Sequence, residues 1–134
     1  MEVVRSAASL LLSSRFAIYL LIGGVAAVID IGLFLILHEI SGVSAILSHS
    51  ISVPASALYS FFCNAVFNFK KTDKLLLRAA SFAIVVFLGY LLGAVFVYIF
   101  EHWTSFGGSV GKILSLPFVV VLQFILNAKI SFQD

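Results

Sequence analysis

The sequence predicts an all-α membrane protein of four transmembrane helices, and three observations predict it. Of 134 residues, 62% are hydrophobic and only 10% charged, with a mean hydropathy of +1.18; charged residues ordinarily make up about a quarter of a soluble chain. Four apolar runs each reach the roughly 20 residues of helix that a hydrocarbon core of about 30 Å requires. The basic residues cluster on one side of those runs. A soluble chain of wholly buried helices is the alternative, and the length of the runs argues against it.

Taken in order, residues 3–14 are apolar but too short to span, and read as an interfacial helix or a disordered lead. The first span covers about 16–37. It is too long for the core of a cleaved leader, and Asp30 interrupts it, so it is expected to be retained. The second covers about 51–69, the third about 79–100 and the fourth about 113–132. None shows the two-residue alternation of a barrel strand, which leaves helices as the spanning form. Pro54 and Pro117 fall early in spans two and four, where a helix start or kink is tolerated.

Arg5 and Arg15 precede the first span, Lys70, Lys71, Lys74 and Arg78 fill the central loop, and Lys129 lies near the end of the fourth. The other two loops are expected to hold His38, Glu39, His49, Glu101, His102 and Lys112, one basic residue of eight. The positive-inside rule then places both termini and the central loop in the cytoplasm, with Trp103 at the outer interface.

A shift of 63 residues aligns the halves without a gap. Arg15 falls on Arg78, His38-Glu39 on Glu101-His102, Ser52 and Pro54 on Ser115 and Pro117, Phe61 on Phe124, Asn64-Ala65 on Asn127-Ala128, and Phe69 on Phe132. The expectation is a single domain over 1–134 built as two parallel helical hairpins, about 15–69 and 78–132. Each hairpin has two spans, so the second copy keeps the orientation of the first, as in transporters whose sites lie between repeats; the alternative is that duplication serves only to make a stable bundle.

Polar groups inside a span must face protein or water, because a charge at the bilayer centre costs about 3 kcal/mol or more. Asp30 lies roughly 20 Å along the helix from Arg15. It reads either as a proton-coupling or binding carboxylate, or as an interhelical hydrogen-bonding group or a carboxylate reaching the outer headgroups. Its counterpart is Gly93, which forms a small-residue pair with Gly89, so Asp30 is expected on a helix-contact face. Ser56, Ser60, Asn64 and Asn68 recur every four residues on span two, as do Gln123, Asn127 and Ser131 on span four. The stripes suggest a polar groove opening toward the cytoplasm, or hydrogen bonding between helices. Arg15, Arg78, Lys70, Lys71 and Lys129 near the cytoplasmic interface suit a phosphate group, or serve topology and anionic lipids. The lone Cys63 forms no intrachain disulfide and reads as an apolar filler. No nucleophile sits beside a base and no metal or phosphate-loop motif occurs, so neither catalysis nor a cofactor is expected.

Arg15-Phe16, Gly23-Gly24, Asp30 and Phe34 open the first span, and FFCNAVFNF (61–69) and FILNAKISF (124–132) close the second and fourth. This pattern resembles the GtrA-like family of small four-span membrane proteins. The matched positions are Arg15, Gly23, Gly24, Asp30, Asn64 and Asn127; Ala65 and Ala128 stand where the family carries Arg or Lys, with Lys129 one position later. The resemblance implies cell-envelope polysaccharide synthesis, with movement of a polyprenyl-phosphate-linked sugar across the cytoplasmic membrane or support of the glycosyltransferases that use it.

On that reading Ser60, Asn64, Gln123 and Asn127 shelter sugar hydroxyls, Arg15, Arg78 and Lys129 meet the phosphate, and Asp30 bonds the sugar or couples to protons. Four helices enclose little volume, so a homodimer or a glycosyltransferase partner is expected, among membrane lipids and without nucleic acid. The competing readings are a non-transporting anchor for a glycosyltransferase, working through the 70–78 loop, and a proton-coupled exporter of small cations.

Overall fold

In a computed structural model, residues 2–132 are described, and they form helices joined by short connections. α1 (Glu2–Leu11) precedes four long helices, α2 (Ser14–Leu35), α3 (Ala45–Cys63), α4 (Leu75–Trp103) and α5 (Gly108–Leu126). Ser13 starts α2 by accepting from the Phe16 amide at 3.3 Å, and Ser44 starts α3 by accepting from Leu47 at 3.3 Å, each satisfying a donor of the first turn. α2, α3 and α5 run on into π-helical turns, Ile36–Ile40, Asn64–Asn68 and Asn127–Ser131. There an amide reaches back five residues: Ser41 to Ile36 at 3.0 Å, Phe69 to Asn64 at 2.8 Å and Phe132 to Asn127 at 2.9 Å.

With these turns included, four helices are long and apolar enough to cross a membrane: Ser14–Ile40, Ala45–Asn68, Leu75–Trp103 and Gly108–Ser131. The protein is a multi-pass, all-α membrane protein. Its polarity is the inverse of a soluble bundle's. Leu21, Val28, Leu76, Ile84 and Phe118 point outward, while Asp30, His49, Asn64, Arg78, Lys112, Ser115 and Asn127 are buried. Lipid tails are as apolar as leucine, so these helices are joined by close packing and by bonds between the few polar groups turned inward.

Two sequence boundaries need correction. α3 and α5 begin at Ala45 and Gly108, ahead of the expected 51 and 113, so His49 and Lys112 belong to helices and not to loops. Polar side chains in the first turns depress the local hydropathy, yet the backbone is already helical because those side chains find partners inside the bundle. Pro54 and Pro117 consequently lie mid-helix, leaving the Ser50 and Ile113 carbonyls without the usual amide four residues on. The 3–14 stretch is helical over Glu2–Leu11, and Leu10 and Leu11 pack against the bundle.

α2 packs most extensively on α3, and α4 on α5; contacts of α3 with α4 and of α2 with α5 complete a ring. Two apolar clusters bracket its centre. At one end Tyr19, Phe61, Phe69, Phe82, Phe124 and Phe132 are buried together, with Phe69 and Phe132 stacked at 4.8 Å and 8°. At the other end Phe34, Ala45 and Val97 are closed off. The aromatic end is the basic one. Asn68 Nδ2 donates to the Arg15 carbonyl at 3.0 Å, and Arg78 Nη1 donates to the Ser131 carbonyl at 3.1 Å, tying each helix end to the start of its hairpin partner.

Arg78 also organises the connection before α4, donating from Nε to the Asp73 carbonyl at 2.9 Å and from Nη2 to Asp73 Oδ1 at 3.1 Å. The hydrogen bond from Arg78 holds the Asp73 carboxyl below the usual carboxylate range. A depressed carboxyl stabilises the fold above its unfolded pKa, and the contribution is lost as pH falls through the folded one. The 69–74 amides are therefore expected to keep their hydrogen-exchange protection from neutral pH down to about pH 4 and to lose it in stronger acid. Asp73→Asn is expected to lower that protection already at neutral pH.

Candidate functional site

Between the apolar clusters lies a cavity of about 80 Å³ to which all four spans contribute. Its centre is Lys112, brought in from α5 and only 2% exposed. Lys112 Nζ stands 2.9 Å from Asp30 Oδ1 on α2 and 2.8 Å from His49 Nδ1 on α3. It also lies 5.3 Å from the Phe34 ring centroid. His49 Nε2 is 3.1 Å from the Tyr90 carbonyl on α4. A carbonyl only accepts, so Nε2 carries the proton and Nδ1 is left to accept from the Lys112 ammonium; the bonding pattern assigns the tautomer. The imidazole is neutral, and Asp30 and Lys112 cancel. A balanced cluster is what a low-dielectric interior tolerates.

Local sequence explains how four helices reach one point. The His49 ring stacks on the Tyr90 ring at 4.9 Å and 14°. A Cβ on Gly93 would stand 2.9 Å from His49 Cε1, so the ring lies against α4 only because position 93 has no side chain. Tyr90 Oη in turn lies 2.8 Å from Ser50 Oγ, which donates to the Ile46 carbonyl at 2.7 Å; the tyrosine hydroxyl is therefore the donor of that pair. Gly89 plays the same part lower down, where a Cβ would collide with the Gln123 amide. The expectation that Asp30, Gly89 and Gly93 lie on helix-contact faces agrees with these positions.

Of the residues singled out from the sequence, Asp30, Ser60 and Gln123 line the cavity, together with Ser56, Gly23, Gly89 and Gly93. Asn64 and Asn127 are fully buried but beyond it. Asn68 donates to Asn64 Oδ1 at 2.8 Å, and Asn64 donates to the Ser60 carbonyl at 3.0 Å, a ladder along one helix. Ser131 donates to Asn127 Oδ1 at 2.7 Å in the same way. Arg15 and Lys129 are exposed at the basic end, with Arg15 5.7 Å from the Phe69 ring centroid, and Arg78 is engaged by Asp73 and Ser131. The polar stripes thus divide: their inner members face the cavity, and their outer members tie helix ends.

Sequence reasoning missed His49 and Lys112. The signal was present, since the 63-residue offset places His49 on Lys112, two ionisable residues at one position of the pattern. Three side-chain contacts join residues 63 apart: His38 Nε2 to Glu101 Oε2 at 3.6 Å, His49 to Lys112 at 2.8 Å, and Phe69 to Phe132 at 4.8 Å.

Outside the cavity, an apolar groove of about 560 Å³ runs between α3 and α4. Ala57, Phe61, Ala79, Ala83 and Phe87 are among its walls, and it shares Val53, Ala57, Phe82, Val86 and Tyr90 with the cavity. At the other seam, α2 against α5, the rings of Phe16 and Tyr19 instead pack on Phe124 at 4.9 and 5.1 Å.

These features define a class: a polytopic membrane protein whose spans close on a small charged cavity beside an open apolar groove. Residues 18–132 match the family described as GtrA/DPMS, transmembrane domain, and the chain belongs to that family. It is a family of membrane proteins of polysaccharide and glycolipid synthesis. No solved structure matches the chain.

Proposed function

We propose that this protein moves a polyprenyl-phosphate-linked sugar across the cytoplasmic membrane for cell-envelope polysaccharide synthesis, acting without catalysis. The observation that carries the reading is Lys112, held between Asp30 and His49 in a cavity stopped at both ends by apolar clusters. A phosphodiester headgroup needs a cation and hydrogen-bonding groups on its way through hydrocarbon, and its tail needs apolar surroundings throughout. Cavity and groove share a wall, so one amphipathic molecule has a place for each half.

In this reading both termini and the basic end face the cytoplasm. Arg15 and Lys129 draw the phosphate there, and Lys112 receives it inside. Asp30, Ser60 and Gln123 bond the sugar. The two hairpins arose by duplication and rock about the axis on which His49 and Lys112 meet. The cavity has room for a few water molecules, so loading parts the helices. Its small volume also favours the second reading, a non-transporting anchor for a glycosyltransferase.

Reconstitution separates the two. Purified protein in liposomes carrying a fluorescent polyprenyl-phosphoglucose is expected to speed headgroup exposure at the outer leaflet at least tenfold over protein-free vesicles. An unchanged rate across a panel of polyprenyl-phosphate sugars contradicts transport.

A further inference from the structure

We propose that the cavity takes up its phosphodiester together with one proton, accepted on Nδ1 of His49; this rests on the transport reading above. Asp30 carries −1, Lys112 +1 and neutral His49 nothing, so the resting cluster sums to zero. A phosphodiester brings −1. Left uncompensated, that charge stands between the cluster of Phe34, Ala45 and Val97 and the aromatic cluster around Phe82 and Phe124, where burial strongly disfavours it.

The geometry says where a compensating proton goes. Among the described residues, the ionisable groups facing His49 are Asp30 from α2, Tyr90 from α4 and Lys112 from α5. The Tyr90 hydroxyl is turned to Ser50. When Lys112 turns to the phosphate, Nδ1 loses its donor, and a buried acceptor without a donor is costly. A proton there satisfies the lone pair and supplies the missing positive charge. Nε2–H stays on the Tyr90 carbonyl, so the ring does not have to flip. The loaded site then holds Lys112 and His49 at +1 each against Asp30 and the phosphodiester at −1 each, and is again neutral. The proton leaves with the headgroup, so the empty carrier returns uncharged.

Calorimetric titration of the full chain in lipid nanodiscs with synthetic farnesyl phosphoglucose, in two buffers of different ionisation enthalpy, measures protons taken up per ligand. Above neutral pH the wild type is expected to bind about one proton per diester, with affinity falling toward tenfold per pH unit. His49→Gln is expected to abolish the uptake and flatten the pH dependence, while His38→Gln keeps both. Should His49→Gln fail to fold, ¹⁵N-histidine spectra of the wild type decide: diester is expected to turn one imidazole from singly to doubly protonated. Diester binding without proton uptake overturns the proposal and leaves the transport reading standing. Uptake that persists in His49→Gln overturns the assignment to His49. No diester binding at all overturns the transport reading and this inference with it.

Discussion

Lys112→Met is expected to destabilise the protein by about 3–5 kcal/mol, the cost of leaving the buried carboxylate of Asp30 without its counter-charge. Asp30 is 8% exposed and Lys112 2%, so water does little to replace the lost partner. Lys112 also bridges α5 to α2 and α3, so the loss falls on two helix contacts at once. Asp30→Asn/Lys112→Met, which removes both charges and keeps their approximate volumes, is expected to recover most of the stability. Reversible unfolding in mixed detergent, compared across the single and double variants, reads the coupling directly. If Lys112→Met unfolded as late as the wild type, the charge of Asp30 would have to be solvated, contrary to a buried pair.

Gly111→Ala has the next largest expected effect. A Cβ there would collide with the Phe96 carbonyl oxygen and come within 2.8 Å of Phe100 Cβ. The first obstacle is backbone and cannot rotate away, so α4 and α5, the most extensively packed pair, must separate. The expected loss is about 1–3 kcal/mol, the usual range for overpacking. Gly24→Ala is the control. It meets nothing within 4 Å, and removing a glycine from a helix interior is expected to add about 0.5–1 kcal/mol. Thermal unfolding in one detergent should therefore move in opposite directions for the two substitutions. Equal shifts would mean that α4 and α5 do not approach closely at Gly111.

How far the sequence shows this arrangement depends on what each residue's signal is made of. Span number, span type and Asp30's inward position follow from hydropathy and small-residue spacing, and these properties belong to single helices. His49 and Lys112 were hidden because their signal is a relation between helices. Read alone, each is a polar residue near a loop; read together, they are partners 2.8 Å apart that complete the charge of Asp30. The asymmetry of the pattern is likewise visible only in three dimensions. Position 30 holds an acid that reaches Lys112, and position 93, its counterpart, holds a glycine that makes room for His49. The asparagine motifs gave the reverse lesson. Four-residue spacing shows that side chains share a face, and does not say whether they face a ligand or bond to one another along the helix, as Asn64 and Asn68 do.

The decisive comparison is headgroup translocation by liposomes containing the folded Asp30→Asn/Lys112→Met variant beside wild-type protein at equal density. A charged station for the phosphate requires the variant to fall to the rate of protein-free vesicles despite its restored stability. Translocation at the wild-type rate would mean that the buried pair serves only to hold the helices together.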